Sequence, residues 1–176
     1  PDMTALAKAM ANGYPMAAVI GIASVMEAAQ GSFISSSGWT EKIGPAAALA
    51  TIRKHRREQV AEHLIDVGMR VQRGWTSAAQ NVGLRVKVSG IPPLSTFSFD
   101  YDNGAALATL FAQEMLARGF LASTAFYVIH GHKPHHVDSY LGAVGEVFDL
   151  LAQAIEQEEV EVRLLGPVRH SGFQRL

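Results

Sequence analysis

Near residue 80 the sequence changes character, and that change constrains the fold more than any other feature. Before it, Leu49, Ile52, Val60, Leu64, Val67 and Val71 recur at mostly helical spacing, behind an alanine-rich start where Pro45 suits the first helical turn. The spacing predicts a long helix, broken once. After it, residues 84–88 and 95–99 alternate with the period of two of half-buried strands. Gly90 and the Pro92-Pro93 break separate them, so they should pair as an antiparallel ribbon. Leu107, Leu110, Phe111, Met115 and Leu116 make an amphipathic helix that Gly119 ends. Residues 120–123 and 126–129 are short strand candidates. Val137, Tyr140, Leu141, Val144, Phe148, Leu151 and Ile155 define a final helix, closed by Glu156, Glu158 and Glu159. Two structural parts are expected, residues 1–79 and residues 80–176. The second should be an α+β layer whose strands are covered on one side by two helices.

At the other end, Asn12-Gly13-Tyr14-Pro15 is a cluster of turn formers, followed by the apolar run from Met16 to Ile22. The expectation is a turn, then a buried strand. Ser24 is placed to cap a short helix through Ala29. Residues 31–38, with Ser35, Ser36 and Ser37 in succession, form a polar loop suited to touching a ligand.

Composition narrows the partners. With 48% hydrophobic and 18% charged residues, the chain is of ordinary globular make-up. No window approaches the roughly 18 uninterrupted apolar residues of a membrane helix, and no secretory signal pattern opens the chain. A cytoplasmic location is expected, with no membrane partner. Having no cysteine, the chain lacks disulfides and thiolate chemistry. A net charge of −1 provides no field for drawing in nucleic acid, which leaves a small-molecule substrate. Because it opens on Pro1-Asp2 rather than Met, the chain is expected to continue a longer polypeptide.

Lys8 is the first candidate for chemistry. It sits among Ala5, Leu6, Ala7, Ala9 and Met10, just before the glycine turn. A lysine in a dry pocket loses solvation of its ammonium form and becomes a nucleophile towards aldehydes. An ordinary surface lysine whose stem covers apolar neighbours fits the same residues. His130, His132, His135 and His136 suggest metal ligation, and with it a metal-dependent hydrolase. However, no acidic residue lies among them and Pro134 interrupts the run, so no metal site is expected. The basic run from Arg53 to Arg57, next to Glu58 and Glu62, reads as a solvated helix face with i, i+4 pairs rather than a nucleic-acid patch. Tyr14 and Trp39 are placed either to line a site or to pack.

The segment from Pro1 to Gly21 resembles the class III aminotransferase signature, in which a Pro-Asp pair precedes the cofactor lysine and Gly-x-Pro follows it. Ala11-Asn12-Gly13, with a single glycine before the proline, is similar to the branch containing glutamate-1-semialdehyde 2,1-aminomutase. Thr40-Glu41-Lys42-Ile43-Gly44-Pro45 is similar to the family's Thr-x-x-Gly-x-Pro segment. Fold markers at Gly90-Ile91-Pro92-Pro93, Thr96-Phe97, residues 115–119 and residues 172–176 resemble the family's small C-terminal domain. The resemblance implies an α/β fold: the end of a fold-type-I pyridoxal-phosphate transferase large domain over residues 1–79, including a long linking helix, then a small α+β domain over residues 80–176. It implies pyridoxal 5′-phosphate as cofactor, joined to Lys8 as a Schiff base, and amino-group transfer between an amino acid or amine and a keto acid, or within one molecule. Thr40 would reach the cofactor phosphate of a neighbouring subunit, making a homodimer with a shared active site; Ser36 or Ser37 are alternatives for that contact. The acidic residue facing the pyridine nitrogen, the ring stacked on the cofactor and the main phosphate loop would lie upstream. The competing reading is a non-catalytic dimerisation or binding module.

Overall fold

A computed structural model describes residues 1–35, 37–38 and 40–170. It falls into two compact units, Pro1–Val60 and Ala61–Leu176. The first unit holds an antiparallel ribbon of β1 (Met3–Leu6) and β2 (Ala18–Gly21), in register Met3 with Gly21 and Leu6 with Ala18. Helix α1 (Ala23–Met26) runs on into a 3-10 turn through Gly31. Ser24 lies inside this helix, and Ile22 occupies the cap without a side-chain hydrogen bond, so the expected serine cap does not form. Helix α2 (Ile43–Arg57) follows, with Pro45 in its first turn. The predicted break in the long helix lies at Gln59, whose φ of 47° interrupts the helical path before α3 (Val60–Asn81) begins. On α2 the basic run is solvated as expected: Lys54 and Arg57 both pair with Glu58, at 3.9 and 2.8 Å.

The strand at residues 18–21 forms, yet it is not buried. Val19 and Ile20 are 52% and 55% exposed, because the ribbon has only two strands and little of the unit covers it. An apolar run specifies a strand that wants burial, without specifying what buries it.

In the second unit, β3 (Val86–Ser89), β4 (Leu94–Phe99) and β5 (Ala125–Tyr127) form one antiparallel sheet with β4 central. The predicted ribbon pairs Val86 with Phe99 and Ser89 with Thr96. Alternation along β4 turns Ser95, Phe97 and Phe99 inward. Helices α4 (Gly104–Ala117) and α5 (Pro134–Glu156) bring Leu107, Leu110, Phe111, Val144, Phe148 and Leu151 into the same core, all fully buried. Phe97 meets the rings of Trp75, Phe99, Phe111 and Phe148 edge-on at 4.8 to 5.7 Å, a favoured aromatic geometry.

Two expectations need correction here. Residues 120–123 are not a strand: Ala122 N–H donates back to the Phe120 carbonyl, and only Ala125–Tyr127 pairs with β4. The sheet is also packed by a third helix, α3, whose Val71, Trp75 and Ala79 join the core. Trp75 Nε1–H donates to the buried Tyr140 hydroxyl at 3.0 Å, so the indole's polar edge is satisfied. Burial pushes the Tyr140 phenol well above its ordinary range.

Candidate active site

Lys8 stands directly after β1, as the first residue of a 3-10 turn, Lys8–Met10. The turn is held by backbone bonds from Met10 N–H to the Ala7 carbonyl, Asn12 N–H to the Lys8 carbonyl and Tyr14 N–H to the Ala11 carbonyl. Ala11, 1% exposed, anchors it. Such a tight reversal needs left-handed backbone, supplied at Lys8 (φ 53°), Asn12 (φ 48°) and Gly13 (φ 105°). Asn and Gly adopt that region readily; a lysine there stores roughly 1–2 kcal/mol of strain. The Lys8 side chain is exposed and lines an open cavity of about 450 Å³ with Ala9, Asn12, Gly13, Tyr14, Pro15 and Met16. Tyr14 thus lies in the cavity wall beside Lys8.

The second motif abuts this turn. A Cβ placed on the buried Gly44 would stand 2.9 Å from the Pro15 carbonyl oxygen, so the start of α2 approaches the Lys8 loop at backbone distance. Glycine at 44 is what permits that approach. The first amides of α2 are already engaged: Ile43 N–H and Gly44 N–H donate to the two carboxylate oxygens of Glu41, at 2.5 and 2.9 Å. The Gly44 amide, then that of Ile43, hold the Glu41 carboxyl below its usual range. Glu41 was missed in the sequence, although a carboxylate two or three residues ahead of a proline-marked helix start is a recognisable cap. Thr40 is exposed in the turn immediately before it. Lys8 and Thr40 do not hydrogen-bond to each other; the fold brings together the segments carrying them. Ser36 and Trp39 lie outside the described residues, as do residues 172–176.

Of the histidines, His63 of α3 meets His130 edge-on at 5.4 Å, and His132 packs on Phe126 at 4.9 Å. Among the described residues, no group of three or more His, Asp or Glu side chains is arranged to hold a metal ion. No helix among them is long and apolar enough to cross a membrane.

The chain as a whole has counterparts among known proteins. No family model matches the chain. It is 30% identical over 119 residues to the aminopentol aminotransferase of Sphingopyxis macrogoltabida, a match covering 68% of this chain and 28% of that protein. It is 29% identical over 143 residues to the 2′-deamino-2′-hydroxyneamine transaminase of Streptomyces kanamyceticus, covering 80% of this chain and 36% of that one. The solved FumI protein of Sphingopyxis sp. MTA144, in its pyridoxal-phosphate internal aldimine form, superposes with a TM-score of 0.81 at 26% identity, over 89% of this chain and 38% of that chain. An omega-transaminase from Sphaerobacter thermophilus shares the fold, with a TM-score of 0.76 at 18% identity over 87% of this chain and 39% of its own.

The chain is therefore a relative of the aminotransferases, with the mixed α/β fold of their C-terminal part. It spans about a third of the length of the curated relatives it matches. These relatives are named as aminotransferases and transaminases, and they give no specific support to the aminomutase branch.

Proposed function

We propose that this chain is the C-terminal part of a pyridoxal-phosphate-dependent aminotransferase whose cofactor is held by Lys8. The observation that carries the reading is Lys8 itself: a lysine in strained left-handed backbone, at a strand end, in the wall of an open cavity. Strain of this kind persists where surrounding structure holds a side chain in one position for a function. The relatives named above support the reaction class.

The residues present fit part of such a cofactor's needs. Lys8 provides a primary amine for its aldehyde carbon. Thr40 provides a hydroxyl that donates to phosphate oxygen without adding charge, reaching the phosphate of a neighbouring subunit in a homodimer. Glu41 occupies the α2 amides, so the phosphate contact on this segment falls to Thr40 rather than to the helix start. Bound pyridoxal phosphate supplies an electron sink that stabilises negative charge at the reacting carbon. Lys8 Nζ would take the proton from the substrate's amino-bearing carbon and return it as general acid. The substrates are an amino acid or amine and a keto acid. Residues 1–79 would belong to the large domain with its linking helix, and residues 80–176 to the small C-terminal domain. The location is cytoplasmic.

Borohydride reduction of the intact, cofactor-supplied protein, followed by peptide mapping, tests this. A pyridoxyl group confined to the peptide containing Lys8 is expected. Its absence would favour the second reading, a dimerisation or binding module, for which the exposed Val19 and Ile20 of β2 speak.

A further inference from the structure

Residues 129–136 contain the same turn twice in succession. Ile129 N–H donates to His132 Nδ1 at 3.2 Å, while His132 N–H donates to the Ile129 carbonyl at 3.0 Å. Four residues on, Lys133 N–H donates to His136 Nδ1 at 3.2 Å, while His136 N–H donates to the Lys133 carbonyl at 3.0 Å. The second turn begins α5, where Pro134 has no N–H to offer. A ring nitrogen that accepts a hydrogen bond carries no proton, so both imidazoles are held as the neutral Nε2–H tautomer. A second proton can enter only at Nδ1, where it would turn the acceptor into a donor facing a donor.

We propose that these paired turns are a proton-operated latch: neutral His132 and His136 close the loop and the start of α5, and protonation of the two rings releases both. The rings also line one wall of a cavity of about 320 Å³ with Phe120, Phe126, Tyr127 and Tyr140, so release loosens that wall.

The surroundings of His132 favour its neutral form. From α3, His63 faces the cluster with a buried Nε2 that has no hydrogen-bond partner, and Arg70 is taken up by Asp138 of α5. From the loop come His130 and Lys133; from α5 come His135, whose ring lies 4.0 Å from that of His136, and Asp138, already paired. Two phenols, Tyr127 and Tyr140, line the same cavity. Burial, then His136 and His63, hold the His132 imidazole below its ordinary value of 6.5. A folded-state value below the unfolded one means that stability from this ring is fully present above 6.5 and is lost as pH falls below it.

Hydrogen–deuterium exchange of the intact protein at about pH 7.5 and about pH 5, corrected for intrinsic exchange, tests the latch. Peptides covering residues 128–137 should lose about tenfold more protection at the lower pH than those from the middle of α5. In His132→Asn with His136→Asn, an amide oxygen stands where Nδ1 was and does not titrate, so protection should be equal at both pH values. Equal protection in the unsubstituted protein, or the same acid loss in the double variant, would overturn the proposal. Should the double variant not fold, ¹⁵N shifts of histidine side chains in the unsubstituted protein decide: unprotonated Nδ1 on both rings at neutral pH is expected, and unprotonated Nε2 refutes it.

Discussion

The two units handle their apolar residues in opposite ways. In Ala61–Leu176, three helices close over a three-stranded sheet, and Trp75, Phe111, Phe148, Leu107 and Leu110 are removed from water altogether. In Pro1–Val60, the described buried residues are Ala11, Gly44, Ala48 and Val60, while Met3, Val19, Ile20 and Ile22 stand half or more exposed. The first unit is shaped by backbone turns and close approaches, the second by side-chain packing. A two-stranded ribbon is marginal by itself, and the unit with the candidate site has little core of its own to cover it. The unit with the self-sufficient core carries no candidate catalytic residue.

The comparison can be broken in several places. The largest effect should come from Lys8→Ala in the intact protein, expected to lower the rate of amino transfer on the order of 10²–10⁴-fold while leaving the melting temperature nearly unchanged. A parallel loss of stability would make Lys8 structural. Next, Phe148→Ala should destabilise the chain by about 3–5 kcal/mol in urea, since its ring touches those of Phe97, Phe99 and Phe111. Trp75→Phe should cost about 1–3 kcal/mol by leaving the buried Tyr140 hydroxyl without its donor, seen as a lower denaturant midpoint. By contrast, Val19→Lys with Ile20→Lys should change the stability of these 176 residues by no more than about 0.5 kcal/mol each. A penalty as large as that of Phe148→Ala would show the ribbon to be covered after all.

The smallest expected effect is at Glu41. Its carboxyl is held below the usual range, so its support of the α2 start is present above the ordinary value of 4.5 and is lost as pH falls through the folded-state value. Glu41→Gln should remove that pH dependence from the amide exchange of Ile43 and Gly44. Unaltered acid fraying of the two amides would mean another group caps the helix.

Much of the second unit was legible because its pattern is local. Period-two alternation at residues 95–99 and the glycine after α4 mark elements whose hydrogen bonds lie within a few residues or in the adjacent strand. The share of α3 in the core was not legible: an amphipathic helix declares that it has an apolar face, not which sheet receives it. The false strand at residues 120–123 failed for the same reason, since pairing depends on a partner edge the local sequence does not name. At the candidate site, Lys8 was legible from a motif, while its left-handed backbone and the occupied helix start at Glu41 were not.

By itself, then, the sequence determined the helices and the β3–β4 ribbon of the second unit, the break before α3 and the lysine to watch. Only tertiary structure decided that the apolar strand after Lys8 is left uncovered in its unit, that Gly44 brings a second motif against the Lys8 turn, and that His132 and His136 fold their rings back onto their own loop. The division has one physical cause. Periodicity and turn chemistry act over a few residues, whereas burial, close approach and the choice of tautomer are set by atoms that the chain brings together from far apart.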